Sequence, residues 1–166
     1  MRCVLLCKIK QIYNSGLNWV FCSYMNKYGE IIVVEDDIDD QLILEQIFRE
    51  LEIKNTITFL ADGQQAYNYF NHTDKDLFLI ISDINMPRMN GIELRDKMQQ
   101  YGEVKLRTIP FLFLTTGTAN ENVVYAYCKS VQGFFTKPSK YEEMKTMIKA
   151  IIDYWSTCRE PQYHGQ

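Results

Sequence analysis

The stretch Leu77-Phe-Leu-Ile-Ile-Ser-Asp-Ile-Asn-Met-Pro-Arg-Met-Asn-Gly91 constrains this chain more than any other. An apolar run leads to Asp83, and a turn-rich segment with Pro87, Asn90 and Gly91 follows. Consecutive apolar side chains bounded by turn residues leave no polar face for water, so the run reads as a strand buried on both faces, the parallel-sheet type. Asp83 then stands at the strand's carboxyl end, the edge at which open α/β sheets bind ligands. A carboxylate there is a candidate for chemistry; its ordinary alternative is to shape the turn through its own side chain.

From Glu30 onward the chain supplies matching elements. Ile31 to Val34 is a β-branched run that stops at Glu35-Asp-Asp37, and between Leu42 and Leu51 the apolar positions 44, 47, 48 and 51 mark one helix face. Asp37 or Asp39 is suited to cap that helix. Thr56 to Leu60 alternates like a strand with one wetter face, and Asp62-Gly63 opens a helix through Ala66, Tyr67 and Phe70. After the strand at 77–81, a helix is expected from about Ile92 to Tyr101, with Gly102 as its stop. Pro110 to Leu114 is a fourth strand ending on Thr115, residues 120–130 carry a weaker helical pattern, and Gly133 to Thr136 is a fifth strand that stops at Lys137-Pro138. Ser139-Lys-Tyr-Glu142 has the capping-box pattern, and Met144, Ile148, Ile151 and Trp155 form the stripe of a last helix. Strands alternating with helices in this way predict an α/β fold, a doubly wound five-stranded parallel sheet with helices on both faces.

A length of 166 residues fits one such domain, expected over 29–156 with an N-terminal extension at 1–28 and a tail at 157–166. In the extension, Lys8 and Lys10 interrupt Val4-Leu-Leu6 before a signal-peptide core forms. Leu17 to Met25 is too short and too mixed to cross a bilayer, which takes about 20 apolar residues. Met25-Asn-Lys-Tyr-Gly-Glu30 reads as an ordinary lead-in to a first strand, so Met25 is the expected native start. A net charge of −3 argues against a nucleic-acid surface. The cysteines form no Cys-x-x-Cys pair and no zinc spacing; Cys128 falls in a helical pattern, and Cys3, Cys7 and Cys22 lie near the start. The expectation is a reduced, cytoplasmic protein.

The chemistry lies in what the strands deliver at their carboxyl ends. The first gives Glu35, Asp36 and Asp37, the third Asp83, the fourth Thr115 and the fifth Lys137. If these strands are neighbours, the groups converge on one edge. Two ionised carboxylates ~4 Å apart repel by about 4 kcal/mol at an effective dielectric near 20. A bound cation removes that penalty, or one acid takes up a proton. Hard oxygen ligands partly open to water suit Mg²⁺, which completes its shell with water and phosphate oxygens. Lys137 then reads as a point charge for a phosphate and Thr115 as a hydroxyl donor. Singly, Asp36 and Asp37 are ordinary helix caps, Lys137 a solvated loop residue and Thr115 a strand end; together, in this order, they form a site.

The constellation resembles the receiver domain of two-component response regulators, the CheY-like fold, which has strand order 2-1-3-4-5. Val33-Val-Glu-Asp-Asp37 is similar to the segment with the family's acidic pair, aligned at Glu35 and Asp36, and Ser82 to Gly91 resembles the phosphoacceptor motif. Ile109 to Thr115 is similar to the segment with the switch hydroxyl, and Gly133-Phe-Phe-Thr-Lys-Pro138 to the one with the switch aromatic and the phosphate-binding lysine. The resemblance covers about Glu30 to Trp155. It implies Asp83 as phosphoacceptor, Lys137 and Thr115 as catalytic groups, and Thr115 and Phe134 as the switch pair. It also implies Mg²⁺ held by Asp36, Asp83 and the backbone carbonyl of Asn85, with Glu35 acting through water. Phe134 departs from the tyrosine common in the family and lacks its hydroxyl.

The implied partner is a sensor histidine kinase or phosphotransfer protein, with no nucleic acid and no membrane. The implied switching face is the helix at 120–130, the fifth strand and the last helix. Its Tyr125, Tyr127, Phe135, Tyr141 and Tyr154 suit a downstream protein target or a homodimer. With Ser156 to Gln166 alone after Trp155, a stand-alone receiver is expected, either a target-binding switch or a phosphorelay intermediate. A haloacid-dehalogenase-like phosphatase uses the same parts, but its nucleophile follows the first strand and a second Asp lies two residues on, where this chain has Asn85. A flavin-binding flavodoxin-like module needs a hydroxyl- and glycine-rich phosphate loop where this chain places carboxylates. The expected protein is therefore a switch and not a conventional turnover enzyme.

Overall fold

The fully apolar runs become the inner strands. β1 (Glu30–Val34), β3 (Leu77–Ser82) and β4 (Phe111–Thr115) are buried at every residue. β2 (Ile57–Leu60) and β5 (Gly133–Thr136) are the edges, and their partly exposed residues account for the wetter alternation of Thr56 to Leu60. The computed structural model describes residues 26–101, 106, 108–116 and 131–158. All pairings are parallel, in the order β2-β1-β3-β4-β5. The order reverses direction between β1 and β3, so their carboxyl ends flank the crevice where such sheets bind ligands.

Four described helices cover the sheet: α1 (Ile38–Glu50), α2 (Gly63–His72), α3 (Gly91–Tyr101) and α4 (Tyr141–Thr157). Successive strand residues point to opposite faces, and two cores result. On one face Leu44, Ile47 and Phe48 of α1 and Met144, Ile148 and Ile151 of α4 meet Ile31, Val33, Ile81, Leu112 and Leu114. On the other, Ala66 and Phe70 of α2 and Leu94 and Met98 of α3 meet Ile32, Val34, Ile80, Phe111 and Phe113. The sheet is therefore covered on both faces, as the alternation of elements predicts.

Asp37, one of the two expected caps, starts α1 at Ile38: its carboxylate accepts from Asp39 N at 2.8 Å and Asp40 N at 3.3 Å. One local expectation changes. The capping box at Ser139 does not form. α4 starts one residue later than that box requires, Lys140 occupies the cap position without a side-chain cap bond, and its ammonium reaches Glu143 at 2.9 Å instead. Glu142 and Glu143 in the first turn still suit the helix dipole. The expectations for the extension up to Met25, Cys3, Cys7, Cys22, Cys128, the helix at 120–130 and the tail beyond Cys158 lie outside the described residues. Among those described, no helix is long and apolar enough to cross a membrane.

Candidate active site

Three carboxylates gather where β1 and β3 end. Glu35 follows β1 directly; its N–H donates to Leu60 O at 2.9 Å and its carbonyl accepts from Gln41 Nε2 at 2.6 Å. Asp83 follows β3, and its N–H donates to Val34 O at 2.8 Å, tying it to β1. Asp83 Oδ1 accepts from Ile84 N at 2.5 Å and lies 3.4 Å from Asn85 N. Carboxylate oxygens of Glu35, Asp36 and Asp83 lie within 4.8 Å of one another, with Glu35 and Asp83 buried and Asp36 exposed. This donor set of hard oxygens, open to water on one side, fits a Mg²⁺-sized cation.

Lys137, just past β5, brings the counter-charge. Its backbone N–H donates to Thr115 O at 2.9 Å, so the β4 end fixes where the lysine emerges. Its side chain is 5% exposed, and Nζ lies 2.6 Å from Glu35 Oε2, 2.6 Å from Asp40 Oδ2 and 3.5 Å from Asp83 Oδ2. One ammonium thus serves three carboxylates. Burial pushes the Glu35 carboxyl up to about 7, against the pull of Lys137 and with the charge of Asp83 adding to the rise. For Lys137, burial acts to lower the pKa, but hydrogen bonds with Asp40 and Glu35 outweigh it and hold the ammonium above its usual range.

The loop after Asp83 is folded back on itself and clamped to α2. Gly91 N donates to Ile84 O at 3.0 Å, Met89 N to Pro87 O at 2.8 Å, and Gly63 N to Met89 O at 3.0 Å. Arg88 adopts a left-handed backbone, φ 65°, and pairs with the buried Asp62, which also caps α2 by accepting from Gln65 N at 2.8 Å. Ile84, Met86 and Met89 are buried beneath this turn.

The structure thus brings Glu35, Asp36, Asp83 and Lys137 together. Thr115 is buried at the end of β4, and Phe134 on β5 is half-buried, its ring edge-on to Phe113 at 6.3 Å. Asn85 is exposed beside Asp83. Asp37, the third acid of the run, belongs to the α1 cap. Asp40 was not among the sequence candidates, although it lies one turn beyond Asp36 on a helix that starts at Ile38. A cleft of about 410 Å³ opens beside Lys137, lined by Asp40, Ile43, Thr116, Pro138 and Tyr141 among others. Of the aromatic face, Phe135 and Tyr141 pack half-buried against the α1–α4 core and Tyr154 is exposed; Tyr125 and Tyr127 lie outside the described residues.

Known proteins share this fold. The family model for the response regulator receiver domain matches residues 31–149. Response regulator Rcp1 of Synechocystis sp. is 26% identical over 132 residues, covering 75% of this chain and 87% of that protein. Chemotaxis protein CheY-3 of Vibrio cholerae is 27% identical over 129 residues, 78% of this chain and 95% of that protein. The crystal structure of the Mn²⁺-bound form of Rcp1 superposes with a TM-score of 0.71 at 24% identity, over 81% of this chain and 99% of that one, a likeness of fold. Because the family match runs from the second residue of β1 into α4 and takes in every strand of the sheet, the chain belongs to the response regulator receiver domain family of two-component signalling.

Proposed function

We propose that Asp83 is the phosphoryl acceptor of this receiver. Phosphorylation and Mg²⁺ are general features of the family, whose members are signalling switches and not conventional enzymes. The observation that carries the residue assignment is the Lys137 ammonium, buried and within 3.5 Å of Asp83 Oδ2. Asp83 Oδ1 is occupied by the Ile84 N–H, so Oδ2 is the oxygen that attacks. It attacks the phosphorus of a phosphohistidine in line; the new O–P bond forms as the P–N bond breaks, and the imidazole nitrogen keeps the electron pair. Lys137 and Thr115 meet the charge on the transferring group, the positioning and electrostatic work this chemistry requires. Asp36, Asp83 and the Asn85 carbonyl would hold Mg²⁺, with Glu35 acting through water. Bound there, the ion supplies positive charge to phosphoryl oxygens.

The phosphoryl group then draws Thr115 toward it, and Phe134 repacks into the space vacated, biasing a two-state face formed with β5 and α4. The phosphodonor is a histidine kinase or phosphotransfer protein in the cytoplasm. Supporting its approach along α1 are the exposed Ile38, Leu42 and Ile43, the last of which lines the cleft at Lys137. The receiver passes its state to a target protein or a next relay partner, and a homodimer through the β5–α4 side fits the exposed Tyr154. The test is incubation with acetyl phosphate and Mg²⁺ followed by intact mass. One phosphate is expected on the wild type and none on Asp83→Asn; incorporation indifferent to that substitution would overturn the assignment.

A further inference from the structure

Asp40 is the one carboxylate at Lys137 that the proposed chemistry leaves without a task. Glu35 and Asp83 face the metal and the phosphoryl group, whereas Asp40 comes from the first turn of α1. Its backbone is fixed by the Asp37 cap, and its side chain, 33% exposed, reaches across to Lys137. The ammonium sits 2.6 Å from Asp40 and from Glu35 but 3.5 Å from Asp83, so its short bonds point away from the acceptor. A lysine offers three N–H donors and no more. Two of these are held in short bonds by Asp40 and Glu35 and the third faces Asp83 itself, so phosphoryl oxygens on Asp83 can engage Lys137 by more than that one donor only if a short bond gives way. Glu35 is then turned toward the cation, which leaves Asp40 as the competitor.

We propose that Asp40 is a positioning residue that retains Lys137 in the unphosphorylated receiver, so that the phosphoryl group and Asp40 compete for one ammonium. The inference rests on Asp83 being the acceptor. It makes the resting state more than an empty site: the lysine has an alternative partner on α1, and phosphorylation releases that partner. The shift joins the acceptor to the cleft between α1 and the β5–α4 connection, since Asp40 and Lys137 both line it.

Beryllofluoride with Mg²⁺, a phosphoryl stand-in that needs no donor, supplies the test, with its affinity for the full chain measured by calorimetry. Asp40→Asn should bind it about tenfold more tightly, the order of one charge-assisted hydrogen bond. Asp40→Ala should do the same, and Asp40→Glu should restore the wild-type value. In a Lys137→Met background Asp40→Asn should have no effect. A gain that persists there is general charge relief and overturns the proposal, as does an Asp40→Asn protein that binds no more tightly than wild type. Wild type that binds no beryllofluoride overturns the acceptor assignment along with it, whereas wild-type binding without a gain overturns the role of Asp40 alone.

Discussion

Gly91 opens α3 directly beneath the acceptor loop, and replacing it with alanine tests how that loop is built. A Cβ there would lie 2.1 Å from the Asp83 carbonyl oxygen and 2.9 Å from both the Phe113 ring and Ser82 Oγ. Relaxed C···O contacts lie at about 3.3–3.6 Å, so the loop and the helix must part by more than ~1 Å. No described glycine has a positive φ, so Gly91 is required for room and not for backbone freedom. The displacement falls on two bonds that hold the acceptor, Ser82 Oγ to Asp83 O at 2.7 Å and Gly91 N to Ile84 O at 3.0 Å. Overpacking of a core typically costs about 1–3 kcal/mol, and weakening these bonds adds roughly 1 kcal/mol. Better helix propensity returns at most ~1 kcal/mol, so the clash wins. At about 2–4 °C per kcal/mol for a domain of this size, a net cost of about 1–3 kcal/mol should lower the melting temperature by roughly 2–12 °C. Circular dichroism melts read this, and a Mg²⁺ titration of the same protein should weaken because Asp83 moves. A Gly91→Ala protein that melts within about 2 °C of wild type and binds Mg²⁺ normally would refute the reasoning.

Asp36→Ala should lower Mg²⁺ affinity at least about tenfold with little change in stability, since Asp36 is an exposed member of the carboxylate trio; unchanged affinity would remove it from the metal set. Glu30, buried at the start of β1, accepts from Thr58 Oγ1 at 2.6 Å, Tyr69 OH at 2.5 Å and Lys75 Nζ at 3.1 Å. Burial alone would raise its pKa, but these bonds bring it below the ordinary 4.5. A depressed carboxylate contributes stability above its unfolded pKa and loses it as pH falls through the folded value. Glu30→Gln should therefore be less stable than wild type at neutral pH, with the gap in urea midpoints closing in acid; a gap independent of pH would exclude the mechanism. Arg88 combines a left-handed φ of 65° with an ion pair to Asp62. Arg88→Gly loses the pair but relieves the backbone, so it should be about 1 kcal/mol more stable than Arg88→Ala by urea denaturation, and equal midpoints would show that the strain is absent.

The fold was legible because its inner strands carry no polar residue except at their ends. Leu77 to Ile81 and Phe111 to Leu114 can be buried on both faces and nowhere else, and the polar residues that interrupt such runs mark the site edge by default. The same rule singles out Glu35, Asp83 and Thr115 as candidates, whereas Lys137 follows the partly exposed edge strand β5. The rule could not find Asp40, because an acid in the first turn of a capped helix already has an ordinary reason to be there, the helix dipole. Nor does a stripe reveal Arg95, which occupies an inner position of α3 beside Leu94 and Met98. It is fully buried, and its guanidinium lies 5.3 Å from the Phe111 ring centre. A stacked guanidinium can fill an apolar position, but only the packing reveals which charged residue does so. The failed capping box at Ser139 has the opposite cause: a local motif matched, and one residue of register decided against it.

The two ends of the sheet differ electrostatically, as the glutamates at the start and just past the end of β1 show. Glu30 enters β1 and Glu35 leaves it; both are buried, and burial is the largest influence on each. Glu30 nevertheless titrates below its ordinary value, while Glu35 is raised to about 7. Residue type is shared, but Glu35 is the more strongly desolvated of the two, so burial and donors together set them apart. Thr58, Tyr69 and Lys75 all bond to the Glu30 carboxylate. At Glu35 the chief donor, Lys137, is divided with Asp40 and Asp83, and the charge of Asp83 works against ionisation. One end of the sheet is electrostatically settled and the other is short of positive charge. Under the proposed assignment that shortage is what a divalent cation relieves, and it makes Lys137 the charge whose change of partner can report that a phosphoryl group has arrived.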